Sequence, residues 1–190
     1  KRQKRADDWK VYEEDLPIGR LVEPLGFDSL WSVEHHFTPY TMVPNPLQFL
    51  TYMAGRTSRL DMGTMVVVLP WHNPVEVAEQ VCLLDVMLGG RELTLGLGRG
   101  AGRVEFEGFG VAMAESRDRF AEALEVLRRA IGQESFSFEG EYYQLGEMSI
   151  RPRPRNAVGL LERLYQAWGS PETVPMAARA NLGPLFIPQK

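Results

Sequence analysis

Residues 60–98 read LDMGTMVVVLPWHNPVEVAEQVCLLDVMLGGRELTLGLG, and this stretch decides the fold class. Met65 to Leu69 is a nearly continuous β-branched run, the composition of a strand covered on both faces of a parallel sheet. Pro70 ends it. Asn73-Pro74-Val75-Glu76 supplies a cap, a first-turn proline and an early acid, and Val77, Val81, Leu84 and Leu88 recur on one helical face up to Gly89-Gly90. Leu93, Leu95 and Leu97 then alternate in a second strand. Strand, crossover helix and strand make a βαβ unit, whose strands run parallel.

The alternation continues outward in both directions. Val11 to Leu25 spaces Ile18, Leu21, Val22 and Leu25 helically and closes on Gly26. Phe27 to Val33 reads as a short buried strand, and Asn45-Pro46 opens a helix through Leu47, Leu50 and Ala54. Beyond the quoted stretch, Ser116 is expected to cap a helix carrying Phe120, Leu124, Leu127 and Ile131. Leu164 to Trp168 predicts a strand, Ser170-Pro171-Glu172-Thr173 a helix start running through Met176 and Ala180, and Leu185-Phe186-Ile187 a last strand. Residues 135–155 interrupt the pattern, because short aromatic pieces and Arg151-Pro152-Arg153-Pro154-Arg155 cannot propagate a helix; they form an insertion or long connection. The class is α/β, either an open doubly wound sheet or a (β/α)8 TIM barrel.

Lys and Arg number 21 against 25 Asp and Glu, a net charge of −4 that disfavours nucleic acid as a partner. Hydrophobic residues make up 44%, enough for a sizeable core. No run approaches the roughly 18 apolar residues of a membrane span. The single cysteine, Cys82, excludes an intramolecular disulfide and fits a cytoplasmic setting.

Three strand-end loops carry candidate chemistry, on the edge where parallel α/β sheets bind ligands. Glu34-His35-His36-Phe37 holds two of the three histidines. Neighbours on an extended backbone point apart, so one of the two is expected to face a pocket as acid or base; the alternative is a solvated turn. Neither HExxH nor a second His/Asp/Glu cluster is present, so no metal site is expected; His72, after another strand end, is weaker evidence of the same acid/base kind, with assistance to a helix start as the alternative. Gly96-Leu97-Gly98-Arg99-Gly100-Ala101-Gly102 formally matches a dinucleotide fingerprint, but no helix is expected to open straight after it, and the match fails on context. Arg99 offers a donor fork for a phosphate. Gly169-Ser170-Pro171-Glu172-Thr173 starts a helix whose free N–H groups suit an anion, though capping alone explains Ser170 equally well. Trp31, Phe37, Tyr40 and Trp71 fit an apolar substrate cavity or plain core.

Taken in order, Glu34-His35-His36-Phe37-Thr38, Val67-Val68-Leu69-Pro70 with His72-Asn73-Pro74, Leu83-Leu84-Asp85 with Gly90-Arg91, Gly98-Arg99-Gly100 and Gly169-Ser170-Pro171-Glu172-Thr173 resemble the luciferase-like flavin-dependent monooxygenases. The resemblance implies a TIM barrel that binds reduced FMN and, through a flavin 4a-hydroperoxide made with O2, oxygenates a small organic substrate. It implies that His35 acts in acid/base steps beside the flavin, that Arg99, Ser170 and Thr173 with Gly98 and Gly169 hold its phosphate, and that Glu105 lies nearby. Met65-Val66 falls where the family has a non-prolyl cis peptide. Gly98 stands where the family often has cysteine, so light emission is not implied. The double histidine favours FMN over deazaflavin; a deazaflavin-dependent oxidoreductase and a non-catalytic flavin-binding paralogue are the alternatives. With no nicotinamide fingerprint, a separate flavin reductase is the expected source of reduced FMN, and a homodimer the expected assembly. A (β/α)8 barrel needs about 250 residues. The chain is therefore expected to be one partial barrel domain, lacking an opening strand and the last strands, with Asn156 to Leu161 marking an omitted loop.

Overall fold

In the computed structural model, residues 7–168 and 173–186 are described. Helix α1 (Asp8–Leu21) precedes β1 (Ser29–Ser32), α2 (Pro46–Ala54), β2 (Asp61–Val68), α3 (Pro74–Met87) and β3 (Leu93–Gly98). Then come α4 (Arg103–Phe109), α5 (Ser116–Gly132), β4 (Phe136–Glu139), β5 (Gln144–Met148), α6 (Ala157–Glu162), β6 (Leu164–Trp168), α7 (Thr173–Arg179) and β7 (Gly183–Phe186). Strands β1, β2, β3, β6 and β7 pair in that order, all parallel. Among the described residues the order never reverses and shows no switch point of the doubly wound kind, following instead the sequential order of a (β/α) barrel.

Local signals explain the elements. The Asn45 side chain accepts from the Gln48 N–H and that of Asn73 from the Val75 N–H, both at 2.9 Å, with prolines at the first helical turn. One face of the sheet, including Leu30, Met62, Leu93, Leu95 and Leu97, packs under helix residues such as Leu50, Val81, Leu84 and Leu127 in one core. The β2–β3 register shifts between Met65 and Val67, which returns Val67 to that core. The Met65–Val66 peptide is cis, at the position the resemblance implies. Residues 135–155 form an antiparallel hairpin, β4 with β5, against α5. Glu122 on α5 accepts from the N–H groups of Glu141, Tyr142 and Tyr143 in its turn.

Several expectations are corrected. Helix α1 starts earlier than Val11 and buries none of its residues; Ile18, Leu21 and the following Leu25 stay exposed, and Leu16 and Val22 make its core contacts. Ser116 does not cap α5 with its side chain; Glu115 holds the cap position. A helix, α4, does open directly after Gly102, too short for apolar periodicity to announce it, and ends at Gly110 with φ +67°. The grounds against a dinucleotide loop thus move from local context to the sequential sheet order. Asn156 to Leu161 is helical, with Asn156 accepting from the Gly159 N–H at 3.0 Å to cap α6. Gly169, Ser170 and Ile187 lie outside the described residues. Among the described residues no helix is long and apolar enough to cross a membrane.

Candidate active site

The carboxyl ends of β1, β2 and β3 lie side by side because the strands are parallel, and the segments leaving them meet. After β1 the chain is pinned by the His35 N–H donating to the Val43 carbonyl at 3.1 Å. His35 Nδ1 pairs with Glu105 Oε1 at 3.1 Å, and the His36 N–H donates to the same oxygen at 3.2 Å. Glu105 is buried in the first turn of α4, while His35 is about one-third exposed. With a carboxylate accepting at Nδ1, the His35 proton is assigned to Nδ1 and Nε2 keeps its lone pair. Tyr40 packs edge-on against the His35 ring, with centroids 4.9 Å apart. A cavity of about 450 Å³ opens here, lined by His35, His36, Phe37 and Met42 and, from α1, by Asp8 and Tyr12.

Behind His35 lies a second cluster. Glu34 is fully buried, and its Oε1 accepts from His36 Nε2 at 2.9 Å and from His72 Nε2 at 2.7 Å, while Oε2 accepts the Val68 N–H at 2.8 Å. Burial pushes the Glu34 carboxyl up, but the hydrogen bonds from His36 and His72, the charge of His72 and the Val68 N–H outweigh it, holding the group below its ordinary value. The His36 ring stands edge-on to Trp71 and to Phe109, at 5.6 and 4.7 Å. Trp71 Nε1 is buried there with no hydrogen-bond partner among the described residues.

Arg99 leaves β3 half-buried, and among the described residues its guanidinium makes a single hydrogen bond, Nη1 to Ser116 Oγ at 3.5 Å. Its neighbours have separate duties. A Cβ on Gly98 would overlap the Val66 side chain at 2.5 Å, so Gly98 serves strand packing, whereas Gly100, at φ +82°, makes the turn. Gly102 lacks the Cβ that would collide with the Glu105 carboxylate.

The structure therefore brings His35 and Glu105 together and places Arg99 on the same edge. Met65 and Val66 lie half-buried on β2 beside Gly96 and Gly98. Thr173 opens α7 with its side chain outside the described set, as Gly169 and Ser170 are entirely. Phe37 and Trp71 both pack on Phe109, but Trp31 sits apart, over Gly63. His72 does not start the helix, which Asn73 does; it binds Glu34. Glu34 as a common acceptor, His72 as its partner, Phe109 and Ser116 were not legible in the sequence. A buried acid beside two histidines was the available signal.

Comparisons with known proteins bear on the family and the fold. The family described as luciferase-like monooxygenase matches residues 3–190. The chain is 34% identical over 172 residues to the 4-hydroxyprotoasukamycin monooxygenase of Streptomyces nodosus subsp. asukaensis, covering 90% of this chain and 46% of that protein. It is also 34% identical over 189 residues to an F420-dependent glucose-6-phosphate dehydrogenase of Kineococcus radiotolerans, covering 92% and 54%. Among solved structures, the monooxygenase RslO1 of Streptomyces bottropensis superposes with a TM-score of 0.85 at 33% identity, covering 94% of this chain and 54% of that one. The oxygenating constituent of 3,6-diketocamphane monooxygenase of Pseudomonas putida, in complex with FMN, superposes at 0.81 with 21% identity, covering 97% and 54%. The chain thus spans about half the length of these relatives, and its fold is that of their TIM barrel in part. With a family match across nearly its whole length and a sequential parallel sheet to carry it, this chain belongs to the luciferase-like monooxygenase family.

Proposed function

We propose that this chain forms the cofactor side of an FMN-dependent monooxygenase that takes reduced flavin from a separate reductase and O2, oxygenates a small organic substrate, and works in the cytoplasm as a homodimer. The observation that carries the proposal is the placement of Arg99 and the His35–Glu105 pair on one carboxyl edge of a parallel sheet. The residues fit the group. Among the described residues Arg99 has a guanidinium fork with one long contact, suited to a phosphate; Thr173 opens α7, which follows β6 on the same edge; and His35 turns an Nε2 with no hydrogen-bond partner among those residues beside a cavity wide enough for a ring system. Bound reduced flavin supplies the reaction with O2. The protein's own work is to hold the phosphate through Arg99 and to hold or move a proton at His35 Nε2. Glu105 orients the imidazole by accepting at Nδ1 and fixes the loop by accepting the His36 N–H.

An F420-dependent relative at 34% identity supports a second reading, hydride transfer to or from a deazaflavin without O2. Anaerobic titration of the protein with reduced FMN and with reduced F420 separates the two. Tighter FMN binding, weakened at least about tenfold in Arg99→Ala, together with His35→Ala that binds FMN but loses oxygen-dependent product, is the expected outcome. A preference for F420 overturns the monooxygenase reading.

A further inference from the structure

We propose that Glu34, His36 and His72 form a binding site for a divalent cation of the zinc class. One ligand atom from each residue lies within 4.8 Å of the others, and the three come from two loops, the exit of β1 and the turn after β2. Imidazole nitrogen and carboxylate oxygen are the donors zinc takes, and the cation leaves a fourth position for water or an exogenous ligand. The site is buried to the degree such a cation needs: Glu34 is fully covered, and the His36 and His72 side chains are 10% and 25% exposed.

Charge argues the same way. The buried Glu34 carboxylate has no Lys or Arg among its hydrogen-bond or ion-pair partners in the described residues; its partners are two imidazoles and a backbone N–H. A divalent cation placed between the three groups would set positive charge directly against that buried carboxylate. Two of the three ligand separations need little change. Zinc distances of about 2.0–2.2 Å put tetrahedral ligands roughly 3.3 Å apart, against the present 2.9 and 2.7 Å from Glu34 Oε1 to the two Nε2 atoms. Each ring must present a lone pair at Nε2, so its proton moves from Nε2 to Nδ1, and a neutral ring releases none on binding. The outer contacts are already in place, since the Val68 N–H holds Glu34 Oε2, and Trp71 and Phe109 fix the plane of the His36 ring.

The proposal is independent of the flavin reading, and its test needs no flavin. Zinc chloride is titrated calorimetrically into the full chain, and histidine ring nitrogens are followed by long-range proton–nitrogen NMR. The chain has three histidines, so the expected result is one saturable site with Nε2-to-Nδ1 tautomer shifts in two of them and His35 unmoved. Glu34→Gln and His72→Ala should each weaken binding by more than the about 10–100-fold that losing an outer partner costs. The spectrum is read on the unaltered protein, so the result stands even where a variant fails to fold. Absence of saturable binding, shifts confined to His35, or equal affinity in folded variants overturns the site.

Discussion

Gly96, in the linear chain, belonged to a formal dinucleotide-fingerprint match that its context did not support. In the structure its missing Cβ faces the Thr64 carbonyl oxygen and the Leu185 side chain, so the residue exists to let β2 and β3 approach. Thr64 Oγ1 donates to the Gly96 carbonyl at 2.9 Å across the same contact. Gly96→Ala forces a backbone to move and is expected to lower stability by about 1–3 kcal/mol, read as a lower urea midpoint at unchanged slope; an unaltered midpoint would show that the strands have room to spare. Cys82 shows the opposite case, in which the local reading was sufficient. Its place among the apolar residues of α3 predicted burial, and it is buried, with desolvation pushing the thiol up to about 11.

At the scale of elements, helix caps were readable because they are local: Asn45 and Asn73 with their prolines mark α2 and α3 to the residue. Helices α4 and α6 escaped notice because two turns hold too few apolar repeats to register. Helix ends are also joined by residues distant in sequence. Arg91 donates to the carbonyls of Ala54, Thr57, Leu60 and Leu88, tying the ends of α2 and α3 to the segment entering β2. Arg91→Ala strands several of these acceptors and is expected to cost at least about 2 kcal/mol, with faster amide exchange at the ends of both helices. Arg91→Lys, which keeps the charge but not the planar fork, should recover less than half of that loss; full recovery would mean that charge alone holds the junction.

For the molecule as a whole, stability in acid is tied to the same buried carboxylate that gathers two histidines. Glu34 has a folded value below its ordinary 4.5, so the unfolded chain binds the proton first as pH falls. Its stabilising contribution is complete above about pH 4.5 and is lost as pH drops through the lowered folded value. Glu23, also lowered through the Arg59 and Ser58 N–H groups, acts on the same limb. The comparison that isolates Glu34 is therefore the wild type against Glu34→Gln: unfolding free energy measured from pH 6 to pH 3 should fall less steeply in the variant, and parallel curves would remove Glu34 from the account. The amino-acid sequence by itself determined the alternation of strand and helix, the caps, the buried helix faces and the family motifs, since each depends on spacings of a few residues. The strand–helix alternation left a doubly wound sheet and a barrel open and the motifs pointed to the barrel, but only the tertiary structure shows the strand order, because strand neighbours are set by long-range pairing. It alone joined His35 to Glu105, 70 residues on, and His72 to Glu34, 38 residues back. Parallel pairing puts the carboxyl ends of distant strands on one edge, and no local periodicity records which side chains meet there.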